Sequence, residues 1–202
     1  MNRLSPHGIA SAGLAAASVP SEAVALEIRG VHRAVAELRR GIPVLLTGAE
    51  PLVLIAAETA GAHGLSEFAA LADGPAVLLL SPVRATSVLQ QPVPRSAKVV
   101  AVRLTGNAFD PATLRTLADP TAEQILPETP EAVRPPVLAG PALALIKLGR
   151  LLAAVLAAPA RPDASEAAER LHLLSVPAAD VTAYPGALAA NLHRVSEAQV
   201  PL

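Results

Sequence analysis

The side chains able to do chemistry in this sequence are few and widely spaced. Glu50 stands in a turn-like segment, Thr47-Gly48-Ala49-Glu50-Pro51, between two apolar runs. Glu58 and Thr59 follow the second run as a polar pair. A hard divalent cation takes several oxygen ligands, normally with more than one carboxylate, so Glu50 cannot hold one unaided. The Glu58-Thr59 pair reads either as a ligand contact or as the cap of a following helix. No two histidines stand at i and i+4, so there is no helical metal pair. His32 lies beside an apolar helical stripe and reads as a surface or helix-packing residue. His63, in Ala60-Gly61-Ala62-His63-Gly64, reads as a turn residue. His172 precedes a strand, and His193 neighbours Arg194. Arg39, Arg40 and Arg84 are scattered cations whose one functional reading is a residual phosphate site. Cysteine is absent, which removes disulfides, thiolate zinc sites and cysteine nucleophiles together.

The elements that must position these residues centre on Val31 to Thr59. Val24, Ile28, Val31, Val35 and Leu38 form one helical stripe, with Arg29, Arg33, Glu37 and Arg40 on the other side. Arg33 and Glu37 are spaced to pair. Arg39-Arg40-Gly41 is a helix stop. Val44–Leu46 and Leu52–Ile55 read as strands of a hairpin covered on both faces. Further on, a short helix is expected around Phe68 and Leu71, and strands at Ala76–Leu80 and Lys98–Leu104. Ser81-Pro82 and Asp110-Pro111 are helix openings, a capping side chain followed by proline. Residues 120–136 carry five prolines and read as a loop or extended crossing segment. Residues 142–158 read as one apolar core helix, with Leu148 and Leu152 buried on a shared face. Asp163 is the expected cap after it. A last strand at 171–175 and a helix at 177–184 follow. An arm at 186–199 carries Leu188, Leu192 and Val195 on one face.

Composition sets the bounds. Apolar residues are 52% and charged residues 16%, enough for a sizeable core in one mixed α/β domain. The net charge of −1 and three aromatic rings give no basis for nucleic-acid binding. No stretch reaches the roughly 18 apolar residues of a membrane span. A cytoplasmic location is expected. Residues 1–21 read as a disordered leader, residues 22–184 as the domain, and residues 185–202 as a C-terminal helical arm.

Several segments occur in one order with plausible gaps: AVAELRRGIPVLL, AAET, GPAVLLL, ATLRTLADP, IKLGRLLAAVL and HLLSVPAADVTAY. In that order the chain resembles 3,4-dihydroxy-2-butanone-4-phosphate synthase of riboflavin biosynthesis. More narrowly, it resembles the degenerate copy of that domain that precedes GTP cyclohydrolase II in some bacterial proteins. The resemblance implies a three-layer, mixed-sheet α/β domain and a homodimer. It also implies a GTP cyclohydrolase II domain as a partner, with LAANLHRVSEAQVPL as the lead-in.

The departures from that family bear on function. The resemblance implies an acid-rich loop for magnesium and sugar phosphate where this chain has Thr47-Gly48-Ala49-Glu50-Pro51. It implies Gly-His-Thr-Glu where this chain has Gly140-Pro141-Ala142-Leu143, whose side chains cannot exchange a proton. The zinc-binding cysteines of a cyclohydrolase half are absent from these residues. The reading is therefore a non-catalytic fragment or early-ending product that serves dimerisation or packing. No catalytic, cofactor-binding or metal-binding residue is assigned and no cofactor is implied. Glu50, Glu58 and Thr59 are the candidates for a vestigial ligand contact. The alternatives are a sugar-phosphate-binding or lyase enzyme with a reduced site, and an interaction protein unrelated to riboflavin.

Overall fold

The first helix, α1 (Glu22–Arg39), buries Val31, Ala34 and Leu38, and ends where the sequence places its cationic stop. Gly41 takes φ +76°, and its N–H donates to the Leu38 carbonyl at 3.1 Å. A Cβ at Gly41 would strike the Thr59 carbonyl oxygen, so space as well as backbone angle requires glycine there. Glu37 pairs with Arg40 at 3.2 Å rather than with Arg33.

The structure, a computed structural model, describes residues 22–94, 96–104, 109–122 and 130–190. After α1 come β1 (Val44–Thr47), β2 (Leu52–Ala56), α2 (Ala62–Leu71), β3 (Val77–Leu80) and α3 (Pro82–Leu89). Then follow β4 (Val100–Arg103), α4 (Pro111–Ala118), β5 (Glu131–Val133) and α5 (Ala139–Leu148). The chain continues through β6 (Ala154–Pro159), α6 (Ala164–Arg170), β7 (Leu174–Pro177) and α7 (Ala178–Ala190). The expected leader, and Leu192 and Val195 of the expected arm, lie outside the described residues.

The strands form one mixed sheet in the order β5-β4-β3-β6-β2-β1-β7. Every neighbouring pair is antiparallel except β1–β7, which is parallel. The hairpin register sets Val44 opposite Leu54 and Leu46 opposite Leu52. Alternate residues go to opposite faces. Leu45, Val53, Ile55, Leu78, Leu80 and Leu156 pack under α2, α3, α4 and α6. Val44, Leu46, Leu54, Leu79, Val155 and Val176 pack under α1, α5 and α7. This is the expected three-layer architecture, and the double cover explains why the strands read as continuous apolar runs.

Both proline-marked openings hold. Ser81 Oγ accepts from Arg84 N–H at 3.4 Å. Asp110 Oδ1 accepts from the Ala112 and Thr113 N–H groups at 2.9 and 3.1 Å. The Thr113 side chain and then these backbone donors hold the Asp110 carboxyl below the usual carboxylate range. Its folded-state value is depressed, so the cap stabilises the fold at neutral pH and is lost as pH falls through that value.

Five expectations are corrected. The single helix over 142–158 is a helix and a strand, α5 and β6, divided at Gly149 and Arg150, the latter at φ +54°. An apolar run covered on both faces looks the same in either conformation, and length misled here. Leu148 and Leu152 accordingly share no helix face. Each is partly buried, Leu148 against the α1–α5–α7 core and Leu152 against the other. Within 120–136, Glu131–Val133 forms the edge strand β5, paired with β4. The last strand lies at 174–177, because α6 occupies 164–170 and His172, at φ +55°, makes the turn between them. Asp163 holds the N-cap position of α6 but caps nothing with its carboxylate, which takes Arg161 at 3.0 Å instead.

Two glycines should respond with opposite sign to alanine. Gly30 lies inside α1 with nothing near a built Cβ, so Gly30→Ala should stabilise by about 0.5–1 kcal/mol. Gly41→Ala should destabilise by at least about 1–2 kcal/mol from the backbone angle alone. Urea unfolding midpoints measure both; equal shifts would mean that the turn at Gly41 is not tight.

Candidate functional site

Two segments expected to carry chemistry meet at one corner of the sheet. The β1–β2 turn, Thr47 to Pro51, abuts the opening of α5. A Cβ on Gly48 would lie 3.1 Å from Leu138 Cδ1 and 3.8 Å from the Ala178 Cβ. Turn, α5 opening and the start of α7 thus share this corner. Topology brings them there. β1 is antiparallel to β2 and β2 to β6, so β1 and β6 point the same way. α5 runs back along β6, so it starts level with the end of β1.

The contact at the centre of the corner is apolar. Leu138 is 9% exposed and lies over Gly48, while Val137 beside it is 64% exposed. Gly140 is exposed and Pro141 half-buried at the helix opening. Glu50 is exposed on the turn. Among the described residues, no group of three or more His, Asp or Glu is placed to hold a metal ion. Glu50 on the turn and Asp180 in the first turn of α7 belong to no such group, and scattered carboxylates are not a donor set for magnesium. The residues of this corner therefore do not fit that ion.

Glu58 and Thr59 lie elsewhere. They follow β2, whereas Glu50 precedes it, and a five-residue strand spans about 17 Å. Glu58 Oε2 accepts from the Leu152 N–H at 2.7 Å, which ties the end of β2 to the segment leading into β6. Thr59 Oγ1 donates to the Leu38 carbonyl at 2.6 Å, satisfying an end carbonyl of α1. Neither caps the following helix, whose N-cap is Gly61. The structure thus brings Glu58 and Thr59 together as clasps between elements, and leaves Glu50 apart.

The cations and histidines have structural contacts as well. Arg84 is buried, with Nε donating to the Leu117 carbonyl at 2.6 Å and a terminal nitrogen to Thr116 at 3.0 Å. It closes the end of α4 from α3. Burial pushes its guanidinium below the usual value, and the charge of Asp119 pulls it back up. His32 Nε2 and the Tyr184 hydroxyl are 2.7 Å apart, with the rings edge to face, so His32 is the helix-packing residue. This contact spans 152 positions and left no local signal. His63 belongs to α2, not to a turn, and meets Glu67 at 3.3 Å one helical turn on. That i, i+4 pair was legible in the sequence.

No protein-family model and no curated protein matches the chain. Solved structures do. A cation-free 3,4-dihydroxy-2-butanone 4-phosphate synthase aligns at TM-score 0.58 and 15% identity, over 77% of this chain and 96% of that one. A synthase in complex with two magnesium ions aligns at TM-score 0.58 and 16% identity, over 80% and 99%. The two-domain synthase RibBX from A. baumannii aligns at TM-score 0.54 and 20% identity, over 76% of this chain and 57% of that one. The chain has the fold of these synthases; at such identities the likeness is one of fold.

The clasps yield a prediction. Glu58→Ala should cost about 1.5–3 kcal/mol, because its acceptor is charged, and Thr59→Val about 0.5–1.5 kcal/mol. Denaturant unfolding measures both. A Glu58→Ala protein as stable as the parent would mean that the carboxylate is free for a ligand.

Proposed function

We propose that this chain is a non-catalytic domain with the synthase fold, serving dimerisation or packing beside a GTP cyclohydrolase II domain of a riboflavin-pathway protein. The observation that carries the reading is Leu138 over Gly48. The resemblance implies an acid-rich loop and a histidine-acid pair at the turn and the α5 opening. Here those two segments meet through a leucine side chain. A sugar phosphate is polar and charged; the exposed Glu50 carboxylate repels its phosphate, and Leu138 over Gly48 offers it no hydrogen bond. The polar pair at the end of β2 is engaged by Leu152 and Leu38. The likeness to one domain's worth of a two-domain synthase accords with a chain that works beside another domain.

The association half of the reading rests on apolar surface. Leu26 on α1 and Leu188 on α7 are 55% and 43% exposed, on two helices of the same layer. Large apolar side chains left in water on neighbouring helices favour a covering partner.

Purified protein incubated with ribulose 5-phosphate and magnesium should release no formate above a heat-inactivated control. Release that follows the protein through repurification would overturn the non-catalytic reading and favour a reduced lyase site. Sedimentation equilibrium at micromolar concentration should give a dimer. A monomer whose Leu188→Ser variant is unchanged in mass and stability would remove the support for a scaffold.

A further inference from the structure

On the sheet face away from Leu138, the end of α2 leaves a pocket of about 360 Å³, lined by Leu65, Phe68, Ala69, Ala72, Phe109 and Leu156. Its origin lies in the sequence of α2. Positions 65, 68, 69 and 72 fall on one helical stripe. The first turn is drawn tightly onto the sheet, because Gly64 has no side chain and a Cβ there would strike the Gly41 carbonyl and lie 2.9 Å from Ile55 Cδ1. The last turn carries alanines at 69 and 72, and Ala76 follows on the way into β3. These side chains are too short to fill the space that the helix encloses. Gly74, at φ +106°, takes the backbone past the pocket without a side chain of its own. Both phenylalanines of the chain line it. Phe109 is held there as the residue just before the Asp110 cap of α4.

The chemistry of the lining is one-sided. None of the lining side chains is ionisable. Four backbone donors around it are already used: Leu65 N–H to Gly61, Ala72 N–H to Phe68, Asp73 N–H to Pro159 and Arg161 N–H to Leu71. An anion entering here would shed water and meet no cationic or hydrogen-bonding side chain in the lining. An uncharged ring would bury its surface against two phenyl groups and two leucines. The volume falls in the range of about 300–1,000 Å³ typical of small-molecule sites.

We infer that this pocket binds a small, uncharged, ring-sized apolar molecule. The site is independent of the corner at Gly48 and of the reading proposed for it, since the two lie on opposite faces of the sheet.

Toluene and benzoate are suitable probes, alike in shape and different in charge. In methyl-resolved NMR of the full chain, toluene should shift the methyls of Leu65 and Leu156 saturably, and benzoate at equal concentration should not. Ala69→Leu with Ala72→Leu should fill the pocket and weaken toluene binding by at least about tenfold. Should the double variant fail to fold, Ala69→Leu alone, at an exposed helix position, decides by the same criterion. Shifts that grow linearly with toluene, that spread over surface methyls, or that benzoate reproduces would overturn the proposal. So would undiminished binding in the filled variant.

Discussion

The fold depends on the two-sided pairing of β6. This strand stands between β2 and β3, and five of its six residues are buried. Its ladders join Leu54 to Ala157 and Ile55 to Leu156 on one side, and Leu78 to Leu156 and Leu79 to Val155 on the other. Remove it and the sheet parts into β5-β4-β3 and β2-β1-β7, neither with a closed core. Because both faces are covered, every β6 residue inside the ladder must be apolar. Because helices press on both faces, several are alanine: Ala154, Ala157 and Ala158.

The same constraint assembles the corner at Gly48. α5 must deliver the chain to the start of β6, so it has to begin beside the end of β1, whichever side chains stand there. Leu138 over Gly48 is thus a consequence of topology. The clasps act at the other end of the strands. Glu58 fastens the segment before β6 to the end of β2, and Thr59 fastens the end of α1 to the same place. Polar chemistry in this domain is spent on joining elements, as the buried Arg84 does for α3 and α4.

Much of the fold was legible because local physics agreed with tertiary need. The Arg39-Arg40-Gly41 stop, the β1–β2 hairpin and the openings at Ser81-Pro82 and Asp110-Pro111 each had a backbone reason independent of what they pack against. The division of 142–158 into α5 and β6 had none. Periodicity vanishes when every position is covered, and the deciding signal, a positive φ at Arg150, belongs to a residue type that rarely takes it. Strand β5 escaped notice because prolines on both sides mask a pairing of three residues. At the corner, sequence reasoning singled out the two segments. It did not foresee that Leu138 joins them, since packing partners 90 positions apart leave no pattern. The roles of Glu58 and Thr59 were hidden for the same reason, because their partners are backbone groups and any residue type supplies one.

The contact between His32 and Tyr184 has an optical consequence. The chain contains one tyrosine and no tryptophan, and its two phenylalanines absorb weakly. Nearly all of its near-ultraviolet signal therefore originates where α7 lies against α1, from a phenol 2.7 Å from an imidazole nitrogen. Absorbance and emission from this protein report on the seating of one helix upon another. The seven-stranded sheet beneath them is dark.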